Sequence, residues 1–227
     1  MCVNKVVFNI FAEMNTLTIQ HSRDIGTENN AEDIHYLLNS IEKHAINQSA
    51  WPNKDYIGSC EFSILYGDDA IAIKYFVTED EIRAVYNQTN DPVYKDTCVE
   101  FFVSLDNENY YNFEFNCNGV CLAQYGPDKA HRSFLSVKDI ELIKTNRFIR
   151  FVNIGDTNLI HWELTVIIPF KAFSKDNLQS LKGKSLGMNF YKCGDDLLQP
   201  HYLSWNKVNT PAPNFHRPDF FGKGVFK

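Results

Sequence analysis

The chain has 227 residues, of which 44% are hydrophobic, 14% aromatic and 22% charged, with a formal net charge of −6. This composition excludes a disordered, collagen-like or coiled-coil protein. The acidic balance argues against nucleic acid or an anionic membrane as the main partner. The 18 Phe and 11 Tyr exceed what a core of this size needs, so some rings are expected at a binding surface.

No window approaches the ~18 uninterrupted apolar residues that would span a bilayer. Residues 1–12 carry Lys5 and a short apolar run broken by Asn9, and Glu13 follows with no small-residue cleavage site. The segment reads as a loose or strand-forming end, with Met14 as an alternative start. A soluble protein is expected, cytoplasmic more than secreted. Of the six cysteines (Cys2, Cys60, Cys98, Cys117, Cys121, Cys193), Cys60 and Cys98 fall in apolar strand patterns. Cys117 and Cys121 lack the second pair a zinc site requires. Scattered free thiols favour a reducing compartment.

Residues 31–46 predict one helix. Ile34, Leu37, Leu38, Ile41 and Ala45 recur at helical spacing, and Asn30 is placed as N-cap with Asp33 three residues on. The period then switches to two. Strands are predicted over 60–66, 70–77, 98–104, 110–116, 119–125, 147–153, 161–168, 185–192 and 224–226, with turn chemistry at Gly67-Asp68-Asp69 and Asn118-Gly119. Many short strands without alternating helices predict an all-β, antiparallel, jelly-roll-like β-sandwich with one N-terminal α-helix. Residues 1–50 form the extension and helix, and 51–227 the sandwich. Pro211 and Pro213 mark a long loop before the last strand.

The hairpin 98–116 can be registered from its pattern. Val99, Phe101 and Val103 share one face of the first strand, and Tyr111, Phe113 and Phe115 one face of the second. Both apolar sets must lie on the same side, which pairs Ser104 with Tyr110, Phe102 with Asn112 and Glu100 with Glu114. The other side then carries Glu100, Phe102, Asn112, Glu114 and Asn116. Glu100 and Glu114 would stand with Cβ atoms ~5 Å apart and repel unless a donor, cation or shared proton intervenes. Carboxylates, amides and rings together are the vocabulary of sugar recognition. The plainer reading is a solvated face with salt bridges to Lys74 or Arg150.

The blocks Tyr94-Lys95-Asp96-Thr97-Cys98-Val99-Glu100-Phe101-Phe102-Val103 and Tyr110-Tyr111-Asn112-Phe113-Glu114-Phe115-Asn116 resemble the family 9 carbohydrate-binding modules and their bacterial relatives. So do Trp162-Glu163-Leu164-Thr165-Val166-Ile167-Ile168-Pro169-Phe170, Gly187-Met188-Asn189-Phe190-Tyr191 and the closing Phe215-His216-Arg217-Pro218-Asp219-Phe220-Phe221-Gly222. The resemblance covers roughly 50–227 and implies noncatalytic binding of a mono- or oligosaccharide, in glycan catabolism and beside a glycoside hydrolase. It implies a clamp of two rings, one six residues before a sugar-contacting glutamate: Tyr94 before Glu100, with Tyr where Trp is usual. Trp205 is the match for the second ring. Glu114 stands where the family offers an arginine. Hydroxyls would be held by Glu100, Asn112 and Glu114, joined by Asn189 and Tyr191. Calcium sites occur in the family, with Asp91, Asp96 and Asp106 as loose candidates.

Several readings compete. Trp205, in a proline-rich loop, is a platform or a plug; Trp51 and Trp162 belong to the core; Asn189 and Tyr191 serve the polar face or the fold. His216 and Arg217 pin the loop. The rival function is a glycoside hydrolase using Glu100 and Glu114, or Glu163, since a retaining pair needs carboxyl groups ~5–5.5 Å apart. A haem protein with Met188, His161 or His216 as axial ligands is a third.

Overall fold

A computed structural model describes residues 14–51, 56–155 and 157–227; Cys2 and the predicted loose or strand-forming end at 1–12 lie outside them. Thirteen strands are found among the described residues. They are β1 (Thr16–Ile19), β2 (His44–Ala45), β3 (Gly58–Tyr66), β4 (Ala70–Glu79), β5 (Cys98–Ser104), β6 (Tyr110–Asn116), β7 (Cys121–Gly126), β8 (Ser133–Phe134), β9 (Lys144–Ile154), β10 (Thr157–Pro169), β11 (Ser185–Cys193), β12 (Tyr202–Ser204) and β13 (Gly222–Phe226). All nine predicted strands are present. The additions β1, β2, β8 and β12 are two to four residues long, too short to show a period.

One sheet runs β1-β13-β11-β5-β6-β7-β8, with β12 sharing the β13 edge of β11; the other runs β2-β3-β4-β10-β9. All pairings within them are antiparallel save β1 with β13. The sheets meet through an apolar interior in which Phe62 of β3 stacks on Phe190 of β11, 3.7 Å between centroids. Two loops, 80–96 and 205–221, cross the outer face of the first sheet and close a second apolar cluster around Phe102, Tyr191 and Phe215. That lid is what positions the site.

The helix is shorter than predicted. α1 spans Ala31–Leu37, and the Asn30 side chain accepts the Glu32 N–H at 2.8 Å, as a cap should. The chain tightens into a 3-10 turn at Leu38–Ser40 and re-emerges extended, His44 and Ala45 pairing with Phe62 and Glu61. The sheet beneath captures the helix carbonyls: Ser63 Oγ donates to Leu38 O and Lys74 Nζ to His35 O. The apolar repeat therefore spans two elements. Ile34, Leu38 and Ile41 pack under the helix, Ile46 enters the main core, and Ala45 is exposed. A second helical turn, α2 (Val137–Ile140), is capped by Ser136.

Candidate functional site

The registered hairpin is found as predicted, with Glu100 opposite Glu114 and Phe102 opposite Asn112. Its polar side is not solvated: Glu100 and Glu114 are each 3% exposed and Asn112 is fully buried. Neither glutamate pairs with Lys74 or Arg150, because Lys74 lies on the other sheet, where its Nζ is 2.6 Å from Glu163. The two carboxyls instead form the floor of a cavity of about 160 Å³. Tyr94, Tyr202 and Phe215 supply its rings, and Gln124, Lys129, Arg132, Asp195, Asn214 and His216 its polar wall.

Each wall residue is held by the fold. Tyr94 sits in a 3-10 turn at Val93–Lys95, and the buried Asp96 beside it accepts the N–H groups of Val85 and Tyr86 and bonds Arg83 and Asn116 Nδ2. Phe215 is stacked on Tyr191 at 4.1 Å, and the Tyr191 hydroxyl donates to Phe215 O. Asn189 anchors the same loop, donating from Nδ2 to Asn206 O at 2.8 Å and accepting the Asn206 N–H at 2.9 Å. Trp51 holds the roof by donating from Nε1 to Thr210 O. Tyr191 and Asn189 thus build the site from beneath.

The electrostatics are uneven. Burial pushes both glutamic acids up: Glu100 well above the usual carboxyl range, with Cys193 and Glu114 adding to the rise, and Glu114 to about 7. Arg132 moderates Glu114, followed by the Asn112 side chain, which donates to Glu114 Oε1 at 2.9 Å. Arg132 Nη1 also reaches His216 at 2.8 Å, and burial holds the imidazole neutral, with Arg132 and Lys129 reinforcing the shift. Three buried atoms here have no hydrogen-bond partner among the described residues: Glu114 Oε2, Asn112 Oδ1 and Arg132 Nε. Glu114 and Arg132 line the cavity and Asn112 lies behind Glu114; an open acceptor and an open donor on one wall suit a hydroxyl, which both donates and accepts.

Of the seven predicted site residues, Tyr94, Glu100 and Glu114 line this cavity and Asn112 joins through Glu114. Trp205 does not. Its backbone N–H bonds Phe190 O, and its ring meets Phe62 and Phe190 edge-on in the core between the sheets. One residue past β12, it extends the pairing of Ser204 with Tyr191 and so stands opposite the inward-facing Phe190; the ring is a plug. Pattern reading also missed Arg132, Gln124, Phe215 and Tyr202. Arg132, just before β8, lines the cavity wall, and its charge acts on Glu114. Its only signal would have been the three-dimensional closeness of two loops.

The remaining candidates are accounted for elsewhere. Trp51 and Trp162 are buried as predicted. Glu163 is tied to Lys74, His35 and His161 on the far sheet. Asp91 and Asp106 accept backbone N–H groups of their own turns, and Asp96 those of Val85 and Tyr86. Met188 lies in the core, and His161 bonds Thr78 and Glu163, both distant in the fold from His216. Arg217 pairs with Asp219. No described helix is long and apolar enough to cross a membrane.

The profile of carbohydrate-binding family 9 matches residues 31–226. A Bacteroides uniformis protein described as carbohydrate-binding is 34% identical in sequence, with a TM-score of 0.84 over 94% of this chain and all of that one. Family 9 modules of Caldicellulosiruptor kristjanssonii, solved with glucose and with cellotriose, superpose with TM-scores of 0.52 and 0.51 at 13% identity. These cover 94% of this chain and 96% and 94% of theirs. No curated protein matches the chain.

Proposed function

The chain belongs to carbohydrate-binding family 9, and on that premise we propose that the cavity over β5 and β6 binds a single sugar ring of a mono- or oligosaccharide without chemistry. The observation that carries this is the open acceptor Glu114 Oε2 and the open donor Arg132 Nε on the cavity wall, with Asn112 Oδ1 open behind Glu114, beside three aromatic rings. Vicinal hydroxyls would donate to the carboxylate and amide and accept from the guanidinium, while Tyr94 and Phe215 flank the C–H faces of the ring. The glucose and cellotriose complexes of the Caldicellulosiruptor modules support a sugar of that class. At about 160 Å³ the cavity is smaller than the ~300–1,000 Å³ of drug-sized sites, which favours one ring at a chain end over a long glycan. Affinity is modest, since each contact replaces a hydrogen bond to water. The resemblance of its sequence blocks supports a place in glycan utilisation beside a glycoside hydrolase.

Calorimetric titration with glucose, cellotriose and a panel of other sugars tests the reading. Tyr94→Ala should weaken binding at least about tenfold, or ~1.4 kcal/mol, with the fold retained. Binding unchanged in that variant would remove the site. Release of reducing ends from the oligosaccharides, lost in Glu100→Gln, would move the two glutamates from contacts to catalysts.

A further inference from the structure

Cys98 and Cys193 are direct partners across the antiparallel ladder of β5 and β11. Glu100 lies two residues from Cys98 on the same face, and the Cys193 thiol donates to Glu100 Oε1 at 3.1 Å. The three ligand atoms lie within 4.8 Å of one another, and all three side chains are buried. No other trio of His, Cys, Asp or Glu among the described residues gathers its ligand atoms this closely. Among the described residues the Cys193 thiol is the one donor to the Glu100 carboxyl.

We propose that Cys98, Cys193 and Glu100 are a three-ligand site for a thiophilic divalent cation of the zinc class, with the fourth coordination position open to the cavity. A tetrahedral site with Zn–S ~2.3 Å and Zn–O ~2.1 Å separates its ligand atoms by about 3.6–3.8 Å, so the present cluster needs side-chain adjustment and no change of strand register. Two soft thiolates and one carboxylate select zinc-like ions over calcium or magnesium, which take oxygen ligands. Glu100 and Cys193 line the cavity, which provides the entry path. On binding, the cation replaces up to three protons, two from the thiols and one from the Glu100 carboxyl. Uptake therefore strengthens with rising pH.

The test uses the reduced, chelator-treated chain and the metal alone, so its result is independent of any sugar. Titration with Co²⁺ should produce a thiolate-to-metal absorption band that saturates at one equivalent. The band should vanish in Cys98→Ser and in Cys193→Ser and persist in Cys117→Ser. X-ray absorption of the zinc-loaded wild type, which needs no variant, should show two sulfur neighbours at about 2.3 Å. A chain that takes up no cobalt, a band that survives Cys98→Ser with Cys193→Ser, or a zinc shell without sulfur would overturn the proposal. So would a Cys98–Cys193 disulfide that persists in reductant.

Discussion

Two buried carboxylates, Glu79 and Glu100, lie on opposite sides of the first sheet and are treated in opposite ways. Inside the sandwich, Glu79 accepts from Trp162 Nε1 at 2.6 Å and from the Thr97 hydroxyl, and pairs with Lys192 Nζ at 2.9 Å. Lys192 is held in turn by His201 at 2.7 Å and by Thr97 at 3.2 Å. Outside, Glu100 is almost equally buried, yet it faces another glutamate and receives one thiol hydrogen bond. A buried charge surrounded by donors belongs to the fold, because removing a partner strands it. A buried carboxyl with only a weak thiol donor costs stability, and such a group in a cavity is a candidate for binding.

The largest break is expected on the satisfied side. Lys192→Met leaves Glu79 buried without its cation and should cost about 3–5 kcal/mol in denaturant unfolding. A cost below about 1 kcal/mol would show that the Trp162 and Thr97 hydrogen bonds suffice, and the contrast would fail. Trp205→Ala sharpens the same division from the apolar core. Removing a packed ring should cost about 3 kcal/mol or more, while the folded fraction binds sugar with unchanged affinity. Lost binding in a correctly folded Trp205→Ala protein would put the ring back in the site.

The unsatisfied side should respond to pH. The Glu114 carboxyl is raised from an ordinary value of 4.5 to about 7, so the fold binds its proton more tightly than the unfolded chain does. The stability it contributes is fully present below about pH 4.5 and is lost as pH rises through about 7. Glu114→Gln should flatten the unfolding free energy over that window. A slope unchanged in the variant would mean that Arg132 already neutralises the carboxylate.

Much of this division was legible in the sequence and part was not. The pairing of Glu100 with Glu114 followed from a period of two, because one-residue slippage would have buried the wrong set. What the hairpin could not report was its cover. Solvent and a lid of loops look alike from within a strand, so the burial of Glu100, Asn112 and Glu114 depended on residues 80–96 and 205–221. Trp205 failed for a related reason: a three-residue strand, β12, carries it into the core, and no period marks so short an element. Arg132 enters the cavity wall from a loop and bonds His216, and Tyr191 and Asn189 act beneath the site by bonding Phe215 and Asn206, contacts that spacing does not encode. Cys98 and Cys193 are 95 residues apart, and of the two only Cys98 falls in a pattern read as a buried thiol; the β5–β11 ladder brings them together.

The smallest expected effect is the most discriminating. Glu100→Gln in chelator-treated protein removes a carboxyl that burial and its neighbours hold far above its ordinary range, and it replaces that group with a neutral amide of nearly the same shape. If Glu100 is a cost carried for binding, unfolding free energy near neutral pH should hold or rise by about 1 kcal/mol, because the repulsion from Glu114 is relieved and no donor is orphaned except the Cys193 thiol. Sugar titration should weaken in the same variant, since Gln cannot reproduce an acidic group that donates when protonated and accepts when ionised. The two readouts must move in opposite directions. A clear loss of stability would place Glu100 with Glu79 among the carboxylates that hold the sandwich together, and the distinction between the two sides of β5 would collapse.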